Sequence, residues 1–414
     1  MSGVFIAHDL AMRGATVTVI ESATVGSAAS YGNAGLIVPS YSVPMANPAS
    51  IMMGLKSLAN KEDALKIALR LEPAYLLWLA RFVSACRPGK MTASTGVLCD
   101  LSTTSMAMYE QLFAAYPETD VGFARTGWLY VYQTGAGLAD GLKQAQLVGQ
   151  CGIPWYQLSA VDVRAREPML AQDLAGGILY PGDGSVNPYR LVRFIAGLAE
   201  KHGVSIRTGV NVRALRVEGR SVRAAVTDHG DIAGNTFVIA AGVLTPQLLR
   251  HLSPGFPVQP AKGYSLTFPR TQTHPGMPLN LTEAHVVVSP MRDQVRFTGG
   301  LDLVGLDTSL DAARIRDISS AVRSWLPGLE QPMSAERWCG FRPMTPDGIP
   351  VIGPLDAADN LVVATGHGTL GITLGPITGR LVGDFISGGS ISPQMRPLLP
   401  SRFRWLHRSW GTQA

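Results

Sequence analysis

Apolar positions near the start of the chain change period once. Phe5, Ile6, Leu10 and Ala11 fall on one helical face, Gly14 closes that helix, and Thr16 to Ile20 read as a short buried strand ending in Glu21. Helical spacing returns from Pro44 to about Glu118. There Leu71, Leu76, Leu77, Leu79, Phe82 and Val83 predict packed helices, and Glu72-Pro73 marks a helix start. A strand at Trp128 to Tyr132 and a helix near Leu142 to Gln150 follow. From Gly176 the two periods alternate: a helix over Pro188 to His202, then strands at Val204 to Arg207, Val212 to Val217 and Val222 to Val226. The strand at Asn235 to Ala240 runs into Ala241-Gly242. Residues 256 to 335 read as antiparallel strands with one helix near Ala312 to Trp325. A last apolar strand, Leu361 to Ala364, enters a loop of small residues and then a helix.

The first helix and strand are the second half of a dinucleotide-binding βαβ unit. Gly3 sits where the third glycine of a GxGxxG turn belongs, and Glu21 stands where an acidic residue holds ribose hydroxyls. The first strand and the first two glycines of such a unit do not precede Gly3, so the expectation is a start assigned too far downstream or a cloned fragment.

Composition narrows the class. With 414 residues, 16% charged and 46% apolar, the chain suits two intertwined domains of a compact enzyme. Its 35 basic and 30 acidic residues leave +5, scattered except for Arg402, Arg404, His407 and Arg408 in the tail. That distribution argues against nucleic acid and leaves weak attraction to an anionic membrane surface open. Cys86, Cys99, Cys151 and Cys339 show no CxxC spacing, so neither a metal site nor a disulfide framework is expected, and a cytoplasmic setting is the default. The most apolar stretch, roughly Ala74 to Cys86, contains Arg81 and is too short to span a bilayer.

Two glycine-studded runs, WCGFRPMTPDGIPVIGP and VVATGHGTLGITLGPITG, carry the chemistry. The first sets Arg342 between an aromatic and a proline, and a planar guanidinium fork matches a carboxylate. The second joins a strand to a small-residue loop and a helix N-terminus, a favourable place for the electron-rich edge of a cofactor.

These blocks, with GSAASYGNAG (26 to 35) and TFVIAAG (236 to 242), resemble the FAD-dependent D-amino acid oxidase superfamily. PVQPAKGYSLT and the GHGTLG loop are most similar to bacterial D-amino acid dehydrogenases. The resemblance runs from Gly3 to about Ile391. It implies an α/β fold, with a glutathione-reductase-like FAD-binding Rossmann domain that lacks its first strand, interleaved with an α+β substrate domain built on a mixed sheet. The expected division is 1–43, 160–255 and 340–392 for FAD, 44–159 and 256–339 for the substrate domain and cap, and 393–414 as a tail.

By the same resemblance, noncovalent FAD is held by Gly3, Glu21, Ser27, Ser30, Asn33, Ala34, Gly35, Val212, Gly242, Gly366, His367, Gly368, Thr369, Leu370 and Gly371. Related sarcosine oxidases attach flavin through a cysteine near the Cys339 motif, a place that Gly340 takes here. Arg342 resembles the arginine that pairs with the substrate α-carboxylate. Tyr264 is a candidate for shaping the substrate pocket, with a buried strand tyrosine as the equal alternative. His367 stands between a catalytic contact and a loop histidine bonded to backbone, and Val212 between an adenine-facing backbone and a core valine.

The implied activity is oxidation of a D-amino or imino acid. Hydride passes to the flavin, water hydrolyses the imino acid to a 2-oxo acid and ammonia, and electrons leave to a quinone or another carrier. Three competing expectations are an oxygen-using D-amino acid or glycine oxidase, a D-hydroxyproline (imino acid) dehydrogenase, and a truncated non-catalytic flavoprotein subunit. Peripheral contact with the inner face of a membrane and membership of a larger complex stay open.

Overall fold

The computed structural model describes residues 1–59, 65–68, 70–331 and 335–403. Arg404, His407 and Arg408 of the basic tail lie outside them.

The chain opens with α1 (Ser2–Met12), β1 (Thr18–Ile20) and β2 (Leu36–Ile37), then α2 (Pro48–Ala59), β3 (Leu65–Ile67), α3 (Pro73–Ala85) and α4 (Pro88–Ala115). Next come β4 (Trp128–Tyr132), α5 (Gly135–Gly149), β5 (Tyr156–Leu158), α6 (Ala160–Arg166), β6 (Gly176–Tyr180), β7 (Gly184–Ser185) and α7 (Pro188–Lys201). The strands β8 (Ser205–Arg207), β9 (Val212–Glu218), β10 (Ser221–Thr227), β11 (Gly230–Ala233) and β12 (Phe237–Ile239) lead to α8 (Thr245–Leu248). The last third holds β13 (Gln259–Pro269), β14 (Leu279–Leu281), β15 (Val286–Pro290), β16 (Gln294–Leu303), α9 (Ala312–Trp325), β17 (Glu336–Met344), β18 (Val351–Pro354), β19 (Leu361–Thr365) and α10 (Gly375–Gly388).

The shorter strands form small sheets, β9-β10-β11 among them. β1 pairs in parallel with β8, and β12 pairs in parallel with β19, whose other edge carries β18. All five residues of β19 are buried, as its unbroken apolar run requires of a strand covered on both faces. Among the described residues no strand joins β1 to β19, so the doubly wound layer is split there. Helices α1 and α10 pack across it at close range because Gly375 and Gly379 present bare backbone to Phe5; a Cβ on Gly379 would sit 2.8 Å from the Phe5 carbonyl oxygen.

The largest sheet has nine strands, in the order β17-β13-β16-β15-β14-β4-β6-β5 with β3 paired to β16. α9 packs on one face of this sheet through Ile315, Ile318, Val322 and Trp325, in a core shared with Leu266, Phe297 and Leu281. The chain enters the sheet three times. β6, in the stretch expected on the nucleotide side, is hydrogen-bonded between β4 and β5, and β17 continues along β13 as far as Met344. No helix among the described residues is long and apolar enough to cross a membrane.

Candidate active site

A cavity of about 2060 Å³ runs from the gap between β1 and β19 to the inner face of the large sheet. At one end are Gly3, Glu21 and Val212, along the middle Ser27, Ser30, Asn33, Ala34 and Gly242, and at the other Arg342 with the loop Gly366, His367, Gly368, Thr369, Leu370, Gly371. Residues more than 360 positions apart thus line one space.

Gly35 does not line it, contrary to expectation. Its φ is +73° and a Cβ there would land on the Val186 carbonyl oxygen, so its role is to turn the chain against β7. Asn33 serves the same turn, because its Oδ1 accepts the Gly35 N–H at 2.8 Å. The Ser27 hydroxyl donates to the Thr24 carbonyl at 2.7 Å.

The loop from Gly26 to Gly35 is pinned by a residue that carries no motif. Arg296 of β16, 3% exposed, donates from Nη1 to the carbonyls of Tyr31 (2.8 Å) and Asn33 (2.7 Å), and from Nε to Thr267 Oγ1 (2.9 Å). Desolvation lowers its pKa to about 10, so it stays a cation at neutral pH.

The large sheet supplies the opposite wall by register. Tyr130 lies beside Asn280, Asn280 beside Val287, Val287 beside Thr298, Thr298 beside Ser265 and Ser265 beside Trp338. Paired residues share a face, so this row crosses five strand junctions on the cavity side. The indole of Trp338 lies over Gly32 and Gly340, where a Cβ would strike its ring. Gly340 is therefore bare for a steric reason. Cys339, the next residue, pairs with Tyr264 on the opposite face and reaches the Thr308 carbonyl with its thiol at 3.4 Å.

Arg342 stands on the cavity face of β17, paired with Ala261. Its Nη1 donates to the Gly300 carbonyl at 2.9 Å, and no carboxylate forms an ion pair with it among the described residues. Burial pushes its pKa below the usual arginine value. Tyr41, on the loop after β2, is enclosed by protein but open to the cavity. Burial raises its pKa, and the nearby Arg342 charge works against that rise. Glu21 is the one acidic residue among the described lining residues, and it sits at the far end.

Tyr264 contributes to the wall, but its hydroxyl is taken: it donates to Asp302 Oδ2 at 2.9 Å. His367 is also taken. Its Nε2 lies 2.9 Å from Thr378 Oγ1, and that hydroxyl donates to the Leu374 carbonyl at 2.7 Å, so Nε2 carries the proton. Desolvation lowers the His367 pKa to about 4, which keeps the ring neutral at physiological pH.

Sequence reasoning missed Arg296, Tyr41, Trp128, Tyr130 and Trp338. Alternation in β4 and β13 was a usable signal for the cavity face, but which face meets the cofactor loop depends on strands far apart in the chain.

An FAD fits these residues. The cavity is long enough to join Glu21 to the row below Arg342, and the indole N–H of Trp128 is buried in its wall with no hydrogen-bond partner. An orphaned buried donor in a cavity wall is satisfied by a bound polar group.

A family model described as FAD dependent oxidoreductase (DAO) matches residues 1–385. The D-amino acid dehydrogenase of Methylobacterium nodulans is 32% identical over 395 residues, 93% of each chain. That of Paramagnetospirillum magneticum is 33% identical over 411 residues, 97% of this chain and 96% of the relative. Among solved structures, glycine oxidase from Bacillus cereus superposes with a TM-score of 0.75 at 23% identity, over 95% of this chain and 96% of that one. L-proline dehydrogenase from P. horikoshii gives a TM-score of 0.74 at 18% identity, over 97% and 95%.

Proposed function

The chain belongs to the FAD-dependent oxidoreductase (DAO) family, and from that premise we propose that it oxidises D-amino acids to 2-oxo acids and ammonia. The observation that carries the reading is Arg342, a half-buried cation on the cavity wall with a carbonyl and, among the described residues, no carboxylate as its partner. A cation drawn partly out of water favours an anion beside it. A substrate α-carboxylate meets that need, and the planar fork orients it.

With the carboxylate on Arg342, the rest of the substrate faces the cavity that this sheet walls. No acidic residue among the described lining residues stands at this end to hold an ammonium, so the amine is accommodated neutral. His367 is a weak base, because burial lowers its pKa to about 4. The chain's residues bind and orient; bound FAD supplies the two-electron oxidation. Attachment is noncovalent, in keeping with the Cys339 thiol being engaged by the Thr308 carbonyl.

The relatives named dehydrogenase support a quinone or other carrier as acceptor rather than oxygen, and a D-hydroxyproline or other imino acid uses the same clamp. Exposed Leu71, Leu76 and Val83 on and before α3 support peripheral contact with a quinone-bearing membrane.

The test is Arg342→Ala in the FAD-loaded protein. KM for D-amino acids should rise ~100-fold or more while FAD content is unchanged, the loss expected when one side of a buried charge pair is removed. Unchanged kinetics on carboxylate substrates would remove the assignment. Stopped-flow reoxidation by oxygen and by a quinone analogue, run side by side, identifies the acceptor.

A further inference from the structure

The Arg342 guanidinium is aimed by a bulge in β16. Between β13 and β16 the register passes from Lys262↔Asp302 to Tyr264↔Gly299, so β16 carries one extra residue there. Gly300 occupies the bulge with φ +73°, a left-handed conformation that glycine takes without strain, and its carbonyl accepts from Arg342 Nη1. Both flanks of the bulge are held from the face opposite the cavity. The ring of Tyr264 packs on Gly300, where a Cβ would meet Tyr264 Cδ2 at 3.0 Å. The hydroxyl of Tyr264 donates to Asp302 Oδ2 (2.9 Å), and Arg314 of α9 donates to Asp302 Oδ1 (2.9 Å). Asp302 is 1% exposed and Arg314 7%. On the cavity side Gly263 leaves room for the guanidinium itself, since a Cβ there would fall 2.7 Å from its central carbon.

We propose that Tyr264, through Asp302 and Arg314, fixes the Gly300 bulge and thereby sets the position of the Arg342 guanidinium, making Tyr264 a positioning residue for carboxylate binding. This rests on the reading of Arg342 as the carboxylate clamp. A carbonyl on a bulge can point in more than one direction, because the ladder there is broken. The Tyr264 ring and the buried Asp302–Arg314 pair leave one direction. The hydroxyl of Tyr264, Asp302 and Arg314 are bonded to one another away from the cavity, so their effect is on where the guanidinium sits.

The experiment compares Tyr264→Phe and Gly263→Ala with the parent in the FAD-loaded protein. Three readouts are taken: KM and kcat for a D-amino acid, Kd for benzoate by titration calorimetry, and FAD content with Tm. Tyr264→Phe keeps the ring on Gly300 and removes only the bond to Asp302. It should raise KM and the benzoate Kd about three- to tenfold, the range of a coupled hydrogen bond, with kcat within twofold and FAD content unchanged. Gly263→Ala displaces the guanidinium directly, leaves the network intact, and should move KM and the benzoate Kd further. If Gly263→Ala weakens benzoate while Tyr264→Phe leaves it within twofold, the positioning role is overturned and the carboxylate clamp stands. If neither variant changes benzoate binding, the clamp reading itself goes with it. A fall in kcat at constant KM for Tyr264→Phe also overturns the proposal.

Discussion

At the Arg342 end the cavity wall is one continuous sheet, whereas at the Glu21 end it is the gap between two small ones. Around Arg342, β13 and β16 are long and bonded on both sides, and the edge strand β17 pairs with β13 along its whole length. Every position there is fixed by a neighbouring strand, and space is made by leaving side chains out, at Gly263 and Gly340. Around Glu21, β1 holds only three residues and pairs with β8 alone. The cavity side of β1 is held by helix α1 and by loops. The Arg342 end is therefore positioned by sheet register, and the Glu21 end by single side chains.

That contrast predicts which substitutions affect the cofactor and which the substrate. The largest effect on cofactor is expected from Arg296→Ala. It leaves the buried carbonyls of Tyr31 and Asn33 without a donor and frees the loop they belong to. FAD affinity measured by fluorescence titration should fall ~100-fold, the sum of two unsatisfied buried acceptors. Retention of parent affinity would mean the loop is held by something other than this arginine. Next comes Glu21→Gln, which removes one charged acceptor at the far end. FAD affinity should drop about tenfold while KM for the amino acid at saturating FAD stays put, and a shift in KM would show that the two ends are not independent.

The smallest effect concerns Asp183, which accepts from the Ser40 backbone N–H at 3.1 Å and from its hydroxyl, and so braces the loop that carries Tyr41. Burial raises its pKa from 3.8 to about 7, against the pull of the Ser40 bonds. A carboxyl with a raised folded pKa holds its proton longer in the native state than in the unfolded chain. Stability from this group is thus complete below about pH 4 and lost as pH rises towards 7. Glu167, buried and bonded to the N–H groups of Gly276 and Met277, is raised to about 7 for the same reason and adds in the same direction. In Asp183→Asn the decline in Tm between pH 5 and pH 8 should shrink by about 2 °C, measured by calorimetry. An unaltered decline would assign the pH dependence to Glu167 alone.

Much of the site could be read before the strands were placed, for identifiable reasons. Arg342 and the loop from Gly366 to Gly371 lie in glycine-rich runs that stand out from the rest of the chain, and all of them line the cavity. Tyr264 read equally as pocket or core, and the bond to Asp302 shows its hydroxyl on the face away from the cavity. Gly35 was grouped with its neighbours because a glycine that turns the chain and one that faces a cofactor look alike in a sequence. Arg296 gave no signal at all. Its work depends on a strand 261 residues beyond the loop edge at Gly35 lying directly beneath that loop, as Arg296 itself does.

By itself the sequence determined the alternation of helix and strand, the family, the cofactor class and the arginine we propose as the carboxylate clamp, because these rest on local periodicity and on short motifs. Only the tertiary structure decided which residues surround that arginine. A bulge at Gly300, a bare Cα at Gly263 and a buried Asp302–Arg314 pair act on it through strand register, and register is set by pairing between segments that the chain brings together only on folding.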